Sequence, residues 1–269
     1  PRLLTGFLHP LYELATGRRI RDKLRPAEKR QWWTRQALLD YQWQEVVRLL
    51  EHAYANVPFY RRRFAEVGLT PRDIRSPEEL AILPPLTKED IQQHGSELVA
   101  RDLAAAGPVR RRATGGSTGQ NLTFFNDQRS LDYRTAAAIR SDALCGMRAG
   151  ARQAKLWGSP DDARRARRLA YWLADRLQNR IYLDAFDLTS GAMRALAARL
   201  QRFRPDAILG YATCLHAFAA FLEREGIRIP PPRTVISSAE TLHDAQRTVI
   251  ERAFGCAVHN RYGCREMGP

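Results

Sequence analysis

The chain has 269 residues, of which 44% are hydrophobic and 27% are charged, and its formal net charge is +14. This composition is typical of a globular protein with a substantial core, and no apolar run approaches the ~20 residues that cross a bilayer. The first twenty residues lack the order of a secretory signal peptide, so we expect a cytoplasmic protein. The 4 cysteines show no CxxC pair, which argues against a disulfide framework.

The basic excess raises the question of nucleic acid, because a basic surface attracts phosphate backbones. The arginines are dispersed in clusters at 61–63, 110–112 and 164–168, and no recognition module accompanies them. We therefore expect no specific nucleic-acid partner. The amphipathic first twenty residues leave peripheral contact with an anionic membrane open. The sequence does not indicate an oligomeric state.

The first hundred residues are predicted to form a mainly helical N-terminal part. Apolar residues recur at steps of three and four from 26 to 54, with Pro26 suited to the first turn, and the aromatic stripe of this helix is predicted to be core. Thr87 is the expected N-cap of a short helical segment, KEDIQQHG.

Residues 101–269 are predicted to form an α/β core. Strands are expected at 122–125, 155–157, 207–210, 234–237 and 257–260. Helices are expected at 129–144, 161–177, 193–203 and 242–254, and another is expected through Leu215, Phe218, Ala219 and Leu222 and closed by Gly226. This alternation predicts a parallel βαβ sheet flanked by helices.

A glycine-rich turn just before the first of these strands is the strongest candidate for chemistry. Three glycines within five residues let backbone amides converge on one point, and two hydroxyl groups add donors, which suits a phosphate group. It is not a Walker loop, because Gln120 stands where that motif needs lysine. The residues of this turn are Thr114, Gly115, Gly116, Ser117, Thr118 and Gly119.

Polar or aromatic clusters follow three predicted strands. They are Tyr211, then Ser238-Ala239-Glu240, then Tyr262-Gly263-Cys264-Arg265-Glu266. Carboxyl ends of parallel strands share one edge, where ligands bind, although these clusters could also be ordinary polar loops. Three potential metal ligands, Cys256, His259 and Cys264, fit no zinc signature, and metal binding there stays open.

These stretches together resemble the adenylate-forming superfamily, also called AMP-dependent synthetases and ligases, in its phenylacetate-CoA ligase and CapK-like branch. TGGSTGQNLTFF, SSAETL and RYGCREMG are similar to the family patterns SGSTGxP, SGAE and YGxTE. The likeness extends to NVPFYRRRF, LPPLTKED and FRPDAILGYAT, so it covers nearly the whole chain.

The resemblance implies the large N-terminal domain of an enzyme that activates a carboxylic acid with ATP and passes the acyl group to coenzyme A or another thiol. It implies that the turn at 114–119 holds the β- and γ-phosphates, that Tyr262 lies against adenine, and that Glu266 holds Mg²⁺. By the same likeness, Ala239, Glu240 and Gly263 border the nucleotide, and Thr118, Arg265 and Glu266 are the catalytic group. Trp157, Gly158 and Tyr211 are expected to line the acyl pocket, from their strand-end positions and the family likeness.

The sequence departs from the family pattern in three places. Gln120 and Asn121 stand in the loop where the family has a variable residue and proline, and Arg265 replaces a threonine, which argues against phenylacetate itself as the substrate. The family's later ribose-binding aspartate and its C-terminal lid domain do not follow Glu266, so we expect an incomplete domain that binds ATP-Mg²⁺ weakly. The alternative is a non-catalytic CapK-like protein of polysaccharide biosynthesis that binds a nucleotide or a partner enzyme. The sequence does not identify the acid substrate or the thiol or amine that accepts the acyl group.

Overall fold

The computed structural model describes residues 13–14, 16–103, 109–113, 122–158, 175, 179–185, 187–264 and 266–268. The chain divides into two compact units, one of residues 19–136 and the other of residues 137–269 with the residues up to 18. The predicted boundary between a helical part and an α/β part at residue 100 concerns the type of secondary structure. The compact units are defined by packing and do not test it, so this boundary stays a prediction. Within the described residues, no helix is both long enough and apolar enough to cross a bilayer.

The unit of residues 19–136 begins with helices. They are α1 (Ile20–Arg30), α2 (Arg35–Asn56), α3 (Pro58–Glu66) and α4 (Lys88–Gln93), with short 3-10 helices at Pro71–Asp73 and Glu78–Ile82. The prediction of one helix starting near Pro26 is wrong, because Pro26 lies inside α1 and α2 has its own start. Thr34 Oγ1 accepts a hydrogen bond from the Ala37 amide at 3.2 Å and caps α2.

The core of this unit belongs to α3 rather than to the aromatic stripe of α2. Phe59 and Phe64 are each 1% exposed, whereas none of the residues of α2 is buried and Leu39 is 46% exposed. Tyr54 of α2 meets Phe64 edge-on, with ring centroids 5.5 Å apart. The prediction that the stripe is core is therefore wrong: the two phenylalanines fill the interior and the stripe only covers them. The prediction of Thr87 as an N-cap is confirmed, since its Oγ1 accepts from the Asp90 amide at 3.1 Å.

A short antiparallel ribbon follows the helices. β1 (Arg110–Ala113) pairs with β2 (Thr123–Asn126), with Arg110 opposite Asn126. Sequence reading missed β1 because its side chains are all exposed and show no apolar alternation. Helix α5 (Gln128–Leu144) follows directly, as predicted within one residue. The glycine-rich turn between β1 and β2 lies outside the described residues.

The second unit is built on a five-stranded sheet in which every neighbouring pair is parallel, which confirms the α/β class. Its strands are β3 (Gln153–Leu156), β4 (Arg180–Leu183), β5 (Ala207–Gly210), β6 (Thr234–Ser238) and β7 (Val258–Arg261), in the order β4-β3-β5-β6-β7. The helices are α6 (Ser190–Phe203), α7 (Ala212–Arg224) and α8 (Asp244–Phe254). Sequence reading missed β4, whose four residues carry two polar side chains. The helix predicted at 161–177 falls almost wholly outside the described residues.

Both faces of this sheet are covered, as a parallel sheet requires. One face packs Leu156, Ile208, Val235 and Val258 against α6, α7 and α8. The alternate residues of the same strands, among them Leu209 and Ile236, form a smaller cluster on the other face with Met147 and Trp157. The central strands are therefore apolar on both sides, which is why they were the strands that the sequence predicted best.

The strand order places a topological switch between β3 and β5. The chain leaves β3 for β4 on one side of it, and leaves β5 for β6 and β7 on the other. Connections that diverge in this way open a crevice beyond the carboxyl ends of the two strands, and ligands of open α/β sheets bind there.

Candidate functional site

The three residues predicted for the acyl pocket meet at the switch point. The rings of Trp157 and Tyr211 stack with centroids 4.4 Å apart and planes 21° apart. The Tyr211 hydroxyl donates a hydrogen bond to the Gly158 carbonyl at 3.0 Å. The structure therefore joins these residues into one aromatic wall at the carboxyl ends of β3 and β5.

The register of the sheet explains this wall. Leu156 lies opposite Gly210, so the residues that follow them, Trp157 and Tyr211, emerge side by side. A Cβ on Gly210 would lie 3.0 Å from Leu215 Cγ and 3.1 Å from the Leu156 carbonyl oxygen. Only glycine lets β5 approach β3 and α7 so closely, and this approach brings the two rings into contact.

The carboxyl end of β6 carries the second predicted cluster. Ala239 has a φ of +71°, in the left-handed region that costs a residue with a Cβ roughly 1–2 kcal/mol. Its neighbour Glu240 accepts a hydrogen bond through Oε2 from the Thr213 amide, at 2.9 Å, in the first turn of α7. A carboxylate is favoured at that place because the amino end of a helix is partly positive. The strained alanine thus directs the glutamate toward the amino end of α7.

The third cluster follows β7. The Ser238 hydroxyl donates to the Arg261 carbonyl at 3.2 Å, which extends the contact between β6 and β7 by a side chain. Tyr262 is 93% exposed, so its ring face is open to a planar ligand. Reciprocal backbone hydrogen bonds between Cys264 and Gly268, at 3.1 and 2.9 Å, close a turn that contains the half-buried Glu266.

Charged residues that sequence reading did not single out lie on the sheet beside the aromatic wall. Arg261 donates to Asp142 at 2.8 Å, and both side chains are largely buried. Burial raises the pKa of the Asp142 carboxyl above its ordinary value, although Arg261 opposes the shift. Burial, and next the charges of Arg180 and Arg261, lower the pKa of Lys155 to about 7. The sequence feature that could have pointed to this charged group is Lys155 itself, a lysine inside the otherwise apolar strand AKLW.

The remaining predicted site residues lie outside the described residues. They are Thr114, Gly115, Gly116, Ser117, Thr118, Gly119 and Arg265. Their roles, and the convergence of the glycine-rich turn with Tyr262 and Glu266 across one nucleotide, remain predictions.

The described residues offer few ligands for a metal ion. No group of three or more histidine, cysteine, aspartate or glutamate side chains in the described ranges could hold a metal ion, so the trio at 256, 259 and 264 gains no support. Burial raises the pKa of the Cys256 thiol to about 11, which disfavours the thiolate that a metal needs. A single carboxylate such as Glu266 fits Mg²⁺ better, because this ion usually keeps waters and binds phosphate oxygens beside one or two carboxylates.

Curated proteins related to the chain fall into two groups. The CapK protein of Staphylococcus aureus is 23% identical over 233 residues, which cover 86% of this chain and 51% of that protein. The phenylacetate-coenzyme A ligases of Pseudomonas putida and Escherichia coli are each 29% identical, over 87% and 82% of this chain. The chain spans about half the length of the curated relatives it matches. No protein-family model matches the chain.

Solved structures agree on the fold. A 2-hydroxyisobutyryl-CoA ligase in complex with 2-HIB-AMP and CoA, in the thioesterification state, superposes with a TM-score of 0.68 over 88% of this chain and 51% of that one, at 18% identity. The open conformation of the same ligase gives a TM-score of 0.65 over 83% of this chain and 49% of that one, again at 18% identity. The likeness in structure shows the adenylate-forming fold, and the relatives in sequence confirm the resemblance to its phenylacetate-CoA ligase and CapK branch.

Proposed function

We propose that this chain, which is related by sequence to the phenylacetate-CoA ligase and CapK branch of the adenylate-forming superfamily, carries the acid- and nucleotide-binding part of an ATP-dependent acid-thiol ligase. The observation that supports this most directly is the grouping at the carboxyl edge of the sheet. The aromatic wall of Trp157 and Tyr211 stands at the topological switch, Ala239 and Glu240 follow the next strand, β6, and Tyr262 follows β7. The arrangement offers an aromatic surface to an acyl group and an exposed ring to a base.

The proposed reaction has two steps. A carboxylate oxygen of the acid attacks the α-phosphorus of ATP, the bond between the α-phosphorus and its bridging oxygen breaks, and pyrophosphate leaves. A thiolate, that of coenzyme A in the simplest case, then attacks the acyl carbon and AMP leaves with the electron pair of the broken bond. The catalytic requirement in the first step is to stabilise charge that develops on the phosphates.

The residues divide this task by their chemistry. The turn at 114–119 offers backbone amides and hydroxyls to the β- and γ-phosphates, with Thr118 and Arg265 nearest to the transferred group, and a guanidinium can bind phosphate through two hydrogen bonds. Tyr262 stacks on adenine, and Ala239, Glu240 and Gly263 border the nucleotide. Glu266 provides a carboxylate for Mg²⁺, which supplies positive charge to the phosphates when bound.

Release of pyrophosphate from ATP, assayed against a panel of aromatic and aliphatic acids, tests this proposal. At least one acid should stimulate release, and Glu266→Gln should lower that stimulated rate by about a hundredfold or more, as expected when a group that stabilises transition-state charge is lost. Glu28→Gln, an exposed carboxylate on α1, is the matched control and should leave the rate unchanged. Unchanged turnover in Glu266→Gln would refute the magnesium role.

A second candidate, which the resemblance to CapK-like proteins suggests, is a non-catalytic protein of polysaccharide biosynthesis that binds a nucleotide or a partner enzyme. Saturation-transfer NMR with ATP-Mg²⁺ separates the two, because it detects weak binding without turnover. Nucleotide binding that Tyr262→Ala abolishes, with no acid able to stimulate pyrophosphate release, would favour the second candidate. Binding together with acid-stimulated release supports the ligase.

A further inference from the structure

The sheet face that carries the aromatic wall also carries two cations. Lys155 pairs in register with Leu209 on one side and Tyr182 on the other. Side chains alternate along a strand, so Lys155 shares a face with Trp157 and lies about 6.6 Å from it along β3. Arg180 is on that face of β4, and the charged groups of Lys155 and Arg180 lie 5.9 and 6.0 Å from the ring of Tyr182.

Neither cation forms a direct ion pair in the part of the chain that the structure describes. Arg180 Nε is buried there without a hydrogen-bond acceptor. Burying a charged group costs several kcal/mol unless a partner of opposite charge compensates. Retaining two such cations next to each other is therefore unfavourable unless a negative group balances them.

Three further charges of the described residues act on Lys155, and together these groups carry a net positive charge. Arg261 reaches it from β7, Asp142 from α5, and Asp175 from the connection between β3 and β4. The Asp142 carboxylate is already engaged by Arg261 at 2.8 Å. With Lys155 protonated, three cations face two carboxylates, so one negative group would balance the set.

We propose, on the basis of the ligase function proposed above, that Lys155 and Arg180 bind an anionic group at the far end of the acid substrate. The substrate class is then a dicarboxylic acid, with one carboxylate activated at the nucleotide and the other held on the sheet. The aromatic wall contacts the carbon chain between them. Apolar contact along the chain and a paired charge at its end are the two interactions that the face offers.

Ligand-observed NMR titration of the chain tests this without turnover. The probes are glutarate, adipate and pimelate, each against its monoamide, which has nearly the same shape and lacks the second charge. At least one diacid should bind about tenfold tighter than its monoamide, as expected for a hydrogen bond to a charged group. Lys155→Met should remove this preference and change the affinity for the monoamide by less than about twofold.

Two further variants separate this effect from general attraction to a basic protein. Lys88→Met removes one exposed positive charge on α4 and should keep the preference. Arg180→Gln should weaken the diacid as Lys155→Met does, so the result does not depend on the folding of one variant. Equal affinity for diacid and monoamide, no binding of either, or a preference that survives both substitutions would overturn the proposal.

Proton uptake gives an independent readout. A bound anion stabilises the ammonium form, so above pH 7 the diacid should bind together with a proton, and its affinity should fall by up to about tenfold per pH unit. Calorimetry in buffers of different ionisation enthalpy measures the uptake, and binding without it would contradict the role of Lys155. If no acid stimulates pyrophosphate release, only the ligase function is refuted. The titrations need no ATP, so they test the binding of the diacid separately.

Discussion

The two ends of the central strands β3, β5 and β6 are held together in different ways. At the amino ends, main-chain hydrogen bonds join the strands. The Asp206 amide donates to the Arg152 carbonyl at 2.8 Å, and the Arg233 amide donates to the Asp206 carbonyl at 2.8 Å. At the carboxyl ends the contacts are made by side chains. Tyr211 bonds to Gly158 there, and Glu240 bonds to the amide of Thr213.

This difference indicates which end is free to serve a ligand. Main-chain hydrogen bonds at the amino ends fix the strand spacing regardless of what the other end carries. At the carboxyl ends the same side chains that hold the structure are the candidate site residues, and Ala239 is strained. Stability and function therefore compete on one side of the sheet, and relief of the strain at Ala239 should stabilise the fold, whereas loss of a contact at the amino ends should destabilise it.

The largest expected effect concerns Lys155, on the face between the two ends. Its folded-state pKa of about 7 lies below the ordinary 10.5, so between these values the unfolded chain binds more protons than the folded one. The free energy of unfolding should rise with pH across this window by up to about 1.4 kcal/mol per pH unit, and the cost of the buried charge is fully present below pH 7.

Lys155→Met removes this dependence, so the variant should be more stable than the parent at pH 7 and the difference should vanish toward pH 10. Urea denaturation at several pH values measures it. Lys88→Met is the control, because that side chain is exposed and its loss should leave the pH profile parallel to that of the parent. A Lys155→Met profile that is also parallel would mean that the lysine is hydrated in the folded state.

A smaller effect of opposite sign is expected at the amino ends. Asp206 Oδ2 accepts from the Arg152 amide at 2.9 Å, and its carboxylate lies near Arg152 Nε and Arg233 Nε at 3.6 and 3.8 Å. Asp206→Ala replaces the acceptor of the exposed Arg152 amide by water and should cost about 0.5–1.5 kcal/mol in the free energy of unfolding.

Asp206→Asn keeps an oxygen acceptor and should recover part of this loss. Both variants should bind nucleotide and acids within about twofold of the parent, since the carboxyl ends are untouched. A large loss of ligand affinity in Asp206→Ala would show that the two ends are coupled, and the comparison between them would then fail.

The sequence predicted the sheet well where its strands are buried on both faces. Ala207–Gly210 was predicted to the residue, because a continuous apolar run bounded by proline and tyrosine allows no other register. The exposed Arg110–Ala113 was missed because it has no hydrophobic pattern, and it forms a strand only through pairing with β2. A hydrophobic pattern thus predicts a strand where burial determines which residues form it. It does not predict a strand that forms only by pairing with a neighbour.

The candidate site was predictable only in outline. Strand ends and family likeness pointed to Trp157 and Tyr211, because position along a strand can be read from a sequence. Lys155 and its pairing with the charges of other strands were not predictable. They depend on which strands are neighbours in space, and β4, which carries Arg180, was not recognised at all.

The smallest expected effect tests the strain at Ala239. Glycine adopts a positive φ freely, which recovers roughly 1–2 kcal/mol, but it also loses about 0.5–1 kcal/mol through the greater freedom of the unfolded chain. Ala239→Gly should therefore stabilise the fold by about 0.5 kcal/mol, measured by urea denaturation. Ala195→Gly, within α6, is the matched control and should destabilise by about 1 kcal/mol.

The same substitution should weaken the site. Glycine no longer holds the backbone in the one conformation that aims Glu240 at the amide of Thr213, so nucleotide binding by saturation-transfer NMR should decrease while stability increases. A destabilised Ala239→Gly would mean that the surrounding contacts favour the left-handed alanine. Its conformation would then be a product of packing, and strain would no longer distinguish the carboxyl end of β6 from the amino end.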